Sequence, residues 1–560
     1  MDFNLLIGGA AGQGMETFSA TLSKILQKRG YHLFTLQDYM SRVRGGHNFF
    51  QIRFSEKPVK THRDDLDGII ALNSETIDLH LNRLHENGFI IADEDVPHHD
   101  PRLITIPAKK LAKEVGNPKV QSSAILGALL KIYGMDLTFV KEIFSYKFDD
   151  KVVQQNMEAF QKGYELTQAR FTEPERSTEK TMMLQANESI ALGALAAGLK
   201  FYSAYPMTPA TSIMSYLVKK SFDAKVVVEQ AEDEIAAINM AIGASYTGVR
   251  SMTGTSGGGY SLMVEAVGMA GIMETPLVIA EIQRPGPATG LPTRTEQSDL
   301  NFVIHSSHGE FPKMVIALRH PEDAFYQTAR AFNLADKYQI PIIILGDQYM
   351  ADAIRTVKPF DLSKVKIERN LADESVYQNG KEYRRYEYTE TGISPRLIPG
   401  KVEGTMVNVD SDEHDEFGNI TESAEVRVRM VDKRAKKLEL LKEDLLEPEL
   451  LGPEDADILL LGFGSLHSPL SEAVDLLNAE SGSKFSALVF GDVWPLPTKK
   501  LEELSSKAKL LINVEQNSTG QLAALISQVT GIRVHQSVLK YDGRPLSATE
   551  IRDKILEGLK

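Results

Sequence analysis

Short apolar runs alternate along the chain with longer stretches of helical spacing. Phe3 to Ile7 reads as a strand, Gly8-Gly9-Ala10-Ala11-Gly12-Gln13-Gly14 as a turn, and Met15 to Arg29 as a helix. Gly68 to Leu72 and Gly88 to Ala92 repeat the strand pattern. The polar stretch Phe171 to Lys180 (FTEPERSTEK) lacks apolar periodicity and reads as an interdomain linker. Beyond it VVVEQ, PLVIAEI, KMVIAL and PIIILGD read as buried strands, with a GTSGGG turn among them. A third series, DILLLGFGS, FSALVFGD and AKLLINVEQNSTGQ, closes the chain. Strands alternating with helices predict an α/β fold class: three doubly wound, mostly parallel α/β domains in series. The expected boundaries are 1–172, a linker at 173–183, 184–352, an extension and connector at 353–451, and 452–560.

Composition narrows the functional classes. At 560 residues with 42% hydrophobic positions, the chain is long enough for three or four separate cores. No run of 18 apolar residues occurs, so no membrane span is expected, and the N-terminus has no leader pattern. A cytoplasmic location is the default expectation. A net charge of -14 argues against nucleic acid as the main partner, since phosphate binding needs concentrated Lys and Arg. The absence of cysteine excludes disulfides, thiol nucleophiles and thiolate-held iron–sulfur clusters from this chain. One-electron chemistry would therefore need a cluster on another polypeptide.

Several segments carry candidate chemistry. In Tyr205-Pro206-Met207-Thr208-Pro209-Ala210-Thr211, two prolines stiffen the backbone around the Thr208 hydroxyl where a strand should meet a helix. Glu234 follows the VVVEQ strand and has Ile238, Ala241 and Ile242 at i+4, i+7 and i+8, which puts its carboxylate on the buried helix stripe. Such a carboxylate can share a proton with a ring nitrogen. Gly254 to Tyr260 permits close approach of backbone to a ligand. Arg284, locked by Pro285, is placed for bidentate capture of a carboxylate, or else pairs with a buried acid. The N-terminal glycine turn fits neither a P-loop nor the usual dinucleotide fingerprint and reads first as a tight strand-to-helix turn. Arg42 and Arg44, in SRVRGGHN, suit a phosphate-bearing ligand or an acidic surface as well as they suit a solvated loop. His98-His99-Asp100 and the run DSDEHDEFGN lack metal-site spacing and read as solvated surface, so no metal ligands are assigned. The Gly-Asp-Gly and distant Asn pattern that holds Mg²⁺ and a diphosphate is missing.

YPMTP, AEDEIAA, TSGGG, EIQRPGPATGLPT and EQSDL, in this order, resemble the α-subunit of 2-oxoacid:ferredoxin oxidoreductases. GGAAGQG and SRVRGGHN resemble the γ domain of that family, fused in front, and VEQNSTGQL resembles its transketolase C-terminal-like domain. Met207 departs from the usual Ile, a volume-conserving change. The resemblance implies that the middle domain is of the thiamine-diphosphate pyrimidine type. It also implies that a 2-oxoacid, with 2-oxoglutarate first and pyruvate or a broader range as the alternative, is decarboxylated. Electrons would leave through iron–sulfur clusters to ferredoxin, and the acyl group would pass to coenzyme A. A β-subunit would supply Mg²⁺, the diphosphate site and a [4Fe–4S] cluster, in an αβ or (αβ)2 assembly. By this resemblance Glu234, Thr208 and Arg284 would be the catalytic residues, Glu234, Pro206 and Thr208 would contact the cofactor, Thr208 and Arg284 the substrate, and Arg294 a distal carboxylate. Asp299 would lie just behind them, and Arg42 and Arg44 would meet coenzyme A or a neighbouring domain. Two other readings stand beside it: a thiamine-dependent transketolase- or decarboxylase-like subunit, and a non-catalytic nucleotide-binding or scaffold subunit.

Overall fold

The computed structural model describes residues 1–41 and 46–559. Its chain divides into two compact units, Met1–Leu184 with Ala353–Pro359, and Gln185–Asp352 with Phe360–Lys560.

The first unit is built on an eight-stranded sheet. β1 (Asp2–Ala10) and β2 (His32–Asp38) both run antiparallel to β3 (His47–Ser55), which lies between them. β4 (Leu66–Ala71), β5 (Leu84–Asp93) and β6 (Leu103–Ile106) extend the other flank of β1 in parallel. β7 (Met182–Leu184) ends the sheet, attached through the strand Ile354–Val357 from far along the chain. The parallel flank is the alternation visible in the sequence. The antiparallel flank is masked there by polar residues whose partners are local, such as Gln51, which donates to the Arg63 carbonyl, and Arg53, which pairs with Asp2. The glycine turn after β1 places Gly12 and Gly14 at φ of 90° and 85°, backbone that glycine adopts without strain. Gln13 closes it by accepting from the Ala10 N–H at 2.6 Å. The expected linker is held down: Arg29 pairs with Glu173 at 2.8 Å, Tyr31 donates to the Pro174 carbonyl, and Phe171 stacks on Tyr133.

In the second unit β8 (Leu199–Ala204), β9 (Val227–Gln230), β10 (Arg250–Thr255), β11 (Leu277–Gln283), β12 (Met314–Ala317) and β13 (Pro341–Asp347) form a parallel sheet in the order β12-β13-β11-β10-β8-β9. The chain then returns to the first unit as β14 (Ile354–Val357). Its last part gives β15 (Glu449–Leu451), β16 (Ile458–Phe463), β17 (Phe485–Phe490), β18 (Asp492–Trp494), β19 (Leu510–Glu515) and β20 (Gln536–Leu539). Five of these make a smaller sheet, β15-β17-β16-β19-β20, while β18 leaves it to pair antiparallel with β12. The architecture is a series of α/β sheets.

Two expectations are corrected. Val226–Gln230 reads as a buried strand, but β9 is the sheet edge and Val227 is 58% exposed. A β-branched run looks the same at an edge as in a core. The acidic run from Asp410 is not all solvated surface either. His414 is fully buried against the Tyr386 ring at 3.9 Å, and Glu413 is paired with Arg434. The helix Ala424–Leu441 that follows buries Lys433, Arg434 and Lys437, and both lysines converge on the buried Glu274. Charge density there marks an internal ionic network, which composition alone cannot distinguish from a solvated stretch.

Candidate active site

The order of the second sheet reverses direction between β8 and β10. From β8 the chain moves outward to β9, and from β10 it moves the opposite way to β11. Such a switch point leaves a crevice at the carboxyl ends of the strands, where ligands of open α/β sheets bind. The candidate residues gather at this edge. Pro206 and Thr208 leave β8 ahead of the helix Thr211–Ala224, and Ser256 leaves β10 ahead of the helix Gly257–Ile272. Arg284 immediately follows β11.

The two sides of the crevice touch. The Arg284 guanidinium donates to the Thr208 carbonyl oxygen at 2.6 Å, and the Thr255 hydroxyl donates to the Met207 sulfur at 3.6 Å. A Cβ on Gly258 would stand 3.2 Å from the Met207 methyl. Thr208 itself is half-buried, and its hydroxyl has no partner among the described residues.

Glu234 opens the helix Glu234–Tyr246, whose N-cap Asp233 accepts from the Ala236 N–H at 2.7 Å. With the cap filled by Asp233, Glu234 is free to turn inward. It is 6% exposed, and its carboxylate has no hydrogen-bond partner among the described residues. It lies against Gly259, where any Cβ would overlap both the Glu234 carboxylate and the Thr255 hydroxyl. The glycine run therefore makes room for a protein carboxylate as well as for a ligand. Ser256, the N-cap of the helix Gly257–Ile272, is fully buried, makes no capping bond, and leaves its hydroxyl unpartnered. Buried polar groups are normally satisfied, so such a set at one sheet edge is what a polar ligand would complete.

Behind the crevice lies a group of acids. Glu281 is fully buried on β11, and neither of its carboxylate oxygens meets a donor. Burial, reinforced by Asp299 and Asp347, pushes its carboxyl well above the usual range. Asp299 is pushed up to about 6 by burial, against the pull of Glu281 and Arg284. Asp347, fully buried at the end of β13 and hydrogen-bonded by Ser465, is also pushed up to about 6 by burial.

The structure thus brings Pro206, Thr208, Glu234, Arg284 and Asp299 to one edge. Arg294 stands on the turn after Leu291, with its Cβ and Cγ facing Gly543 of the C-terminal segment. Arg42 and Arg44 lie outside the described residues. Sequence reasoning missed Ser256, Gly259 and Glu281 as individual groups. The signal for Glu281 was available, since a carboxylate within the apolar run PLVIAEI needs a reason to be there. A cavity of about 430 Å³ lies elsewhere in the second unit, lined by His305, Lys313, Leu438 and Trp494 among others. No helix among the described residues is long and apolar enough to cross a membrane.

Comparison with known proteins places this geometry in a class of redox enzymes. Residues 192–433 match the family described as pyruvate flavodoxin/ferredoxin oxidoreductase, thiamine diP-bdg, and residues 4–166 match pyruvate ferredoxin/flavodoxin oxidoreductase. The chain is 33% identical to the 2-oxoacid:ferredoxin oxidoreductase subunit alpha of Sulfolobus sp, an alignment covering 100% of this chain and 97% of that protein. It is 31% identical to the 2-oxoglutarate synthase subunit KorA of Methanothermobacter marburgensis, over 67% of this chain and 98% of that subunit. The fold superposes with a TM-score of 0.93, at 30% identity and full coverage of both chains, on a 2-oxoglutarate:ferredoxin oxidoreductase from Magnetococcus marinus with 2-oxoglutarate, coenzyme A and succinyl-CoA bound. The chain belongs to the 2-oxoacid:ferredoxin oxidoreductase α-subunit family.

The residues present fit one half of thiamine diphosphate. A buried carboxylate without a protein partner, Glu234, suits a ring nitrogen that brings a proton. The chain offers no Gly-Asp-Gly and Asn set for Mg²⁺ and the diphosphate.

Proposed function

We propose that this chain forms one wall of the active site of a coenzyme A-dependent 2-oxoacid:ferredoxin oxidoreductase, and that its acid is 2-oxoglutarate. The observation that carries the reading is the Arg284–Thr208 bracket over a switch-point crevice that also holds the unpartnered Glu234. The substrate choice is supported by the KorA relatives and by the ligands named for the Magnetococcus marinus enzyme.

Thiamine diphosphate, when bound, supplies the electron sink for decarboxylation. Glu234 holds the proton at the aminopyrimidine ring nitrogen, and Pro206 shapes the loop beside it. Arg284 neutralises the carboxylate next to the oxo group, while the Thr208 hydroxyl donates to the substrate's oxygens. Arg294 serves the distal carboxylate that distinguishes 2-oxoglutarate from pyruvate. The start of the 16-residue helix Gly257–Ile272 presents backbone N–H groups and the positive end of its dipole to the anionic contents of the crevice.

Since the chain has no cysteine, the [4Fe–4S] cluster, Mg²⁺ and the diphosphate site belong to a β-subunit that covers the open wall. Large apolar side chains beside the site residues in sequence are left exposed, with Tyr205 at 43%, Ile235 at 50%, Leu262 at 50% and Leu291 at 47%. Apolar side chains exposed around a polar site favour a protein partner covering it. Arg42 and Arg44 are assigned to coenzyme A or domain contact by family resemblance alone.

The test is to purify the chain with its partner and measure coenzyme A-dependent viologen reduction with 2-oxoglutarate, pyruvate and branched-chain 2-oxoacids. A clear preference for 2-oxoglutarate supports the assignment. Preference for pyruvate moves the substrate and removes the role given to Arg294. Activity of the isolated chain would overturn the shared site.

A further inference from the structure

Glu281 is the least expected group in the second unit. It occupies the middle of the sheet, pairs in register with Thr255 of β10 and Leu345 of β13, and is fully buried. Neither carboxylate oxygen meets a donor, while the group facing it is another carboxyl, Asp299. The Asp299 N–H bonds the side chain of Gln283, two residues further along β11, and the Asp299 carboxyl lies against Gly257, two residues past the Thr255 that pairs with Glu281. Two facing carboxyls form a hydrogen bond only if one carries a proton, and burial disfavours charge on both. Asp299 is fixed by its backbone N–H, which donates to Gln283 at 3.0 Å, and by Gly257, where a Cβ would stand 2.5 Å from its carboxyl oxygen. The remaining charged or titratable groups facing the pair are Asp347 and Tyr260 around Glu281, and Arg284 and Glu296 around Asp299.

Arg284 makes no ion pair within reach among the described residues, and its one hydrogen bond goes to the Thr208 carbonyl. Asp299 acts on it through space, in a half-buried setting where water screens incompletely. We propose that Glu281 and Asp299 hold one proton between them and that Asp299, as a positioning residue, sets the charge Arg284 presents to the crevice, so that capture of a 2-oxoacid anion is coupled to proton uptake by the pair. This rests on the assignment of Arg284 as the carboxylate-binding cation.

The coupling follows from charge. With the proton on Glu281, Asp299 offsets Arg284 and the local sum is near zero. An arriving carboxylate adds a negative charge beside Asp299 and competes for the same guanidinium, which raises the affinity of Asp299 for a proton. The proton comes from solvent, and no bond other than O–H changes. A second protonation leaves Arg284 to the substrate alone.

The test uses the holoenzyme complex and N-oxalylglycine, a 2-oxoglutarate analogue that is not decarboxylated. Its binding is followed by calorimetry in buffers of different ionisation enthalpy between pH 6 and 8. The expected result is net uptake of up to one proton per site in the wild type, retained in Glu281→Gln, where a neutral donor replaces a neutral carboxyl, and lost in Asp299→Asn. Binding without proton uptake in the wild type, or uptake persisting in Asp299→Asn, overturns the proposal. Infrared spectra of the ligand-free complex at neutral pH give an independent reading. A protonated-carboxyl C=O band that disappears in Glu281→Gln is expected, and its absence from the wild type overturns the shared proton even if Asp299→Asn fails to fold. Arg284→Ala separates the two layers: unchanged N-oxalylglycine affinity there removes the site assignment itself, whereas weakened affinity with no wild-type proton uptake removes only the pair.

Discussion

Arg284, just after β11, holds the carbonyl oxygen of Thr208, just after β8, at 2.6 Å, although β10 lies between the two strands in the sheet. The hydrogen bond therefore closes over the turn that carries Ser256 to Gly259. Both ends are stiffened, the acceptor by Pro206 and Pro209 and the donor by Pro285, so little conformational entropy remains to be lost on ligand binding.

Removing the donor should cost substrate capture first. Arg284→Ala is expected to lower kcat/KM for the 2-oxoacid by about 2–5 kcal/mol, the usual cost of depriving a desolvated charge of its partner. The residue is half-buried, so the fold should survive. Arg284→Lys should recover little, because an ammonium cannot bond the Thr208 carbonyl and a carboxylate in the guanidinium's fork geometry. Steady-state kinetics across a 2-oxoacid series checks this, and an unchanged kcat/KM in Arg284→Ala contradicts the role.

Glu234→Gln keeps the shape of the side chain and removes its charge. Turnover should fall to background while the melting temperature and co-elution with the partner stay as in the wild type. Asp233, not Glu234, caps the helix, so no capping energy is lost. A fully active variant would take Glu234 out of the chemistry.

Gly259→Ala tests the same carboxylate by crowding. The added methyl group overlaps the Thr255 hydroxyl and the Glu234 carboxylate, so one of them must move. Overpacking of this kind costs about 1–3 kcal/mol. Thermal denaturation should show that loss, and thiamine diphosphate affinity of the complex should fall with it. Gly243→Ala, inside the helix that Glu234 opens and where a Cβ meets nothing, is the control: it should leave thiamine diphosphate affinity unchanged and raise stability by about 0.5–1 kcal/mol through helix propensity.

Much of this site was legible in the chain because local chemistry dictates it. Pro206 and Pro209 announce a stiff loop, Glu234 falls on an apolar helical stripe, and a parallel sheet sends every strand-to-helix turn to the same edge. Tertiary pairing was less visible. His32–Asp38 and His47–Ser55 carry polar residues that find partners only after folding, so their antiparallel hairpin gives no clean alternation. Val227 looks buried until the strand order puts β9 at an edge. Lys433, Lys437 and His414 look solvated until Glu274 and Tyr386, distant from them in sequence, are brought to them.

That ionic network yields a stability prediction. Glu274 is fully buried, receives Lys433 at 2.6 Å and 2.8 Å, and also meets Lys437. Glu274→Gln leaves two buried ammonium groups without their counter-ion and should destabilise the second unit by about 3–5 kcal/mol. Denaturant unfolding measures it. A change below about 1 kcal/mol would show that water or rearrangement compensates the lysines.

Glu281→Gln should do the reverse at neutral pH. Burial, with Asp299 and Asp347 nearby, raises the folded-state pKa of Glu281 well above its value in the unfolded chain. A carboxyl raised in this way contributes its stability fully below the unfolded pKa, near 4.5, and loses it as pH rises towards the folded value. At pH 7 to 8 the unfolded state ionises readily while the folded state must keep its proton, so the wild type carries a cost of about 1.4 kcal/mol for each unit of displacement. Glutamine has no proton to keep. The variant should therefore melt higher than the wild type at pH 8, and the difference should shrink and vanish as the pH falls to 4.5. Calorimetric melting at several pH values decides it. A variant less stable than the wild type at every pH would mean that Glu281 is held as an ionised group by partners the present geometry does not provide, and the shared proton with Asp299 would fall with it.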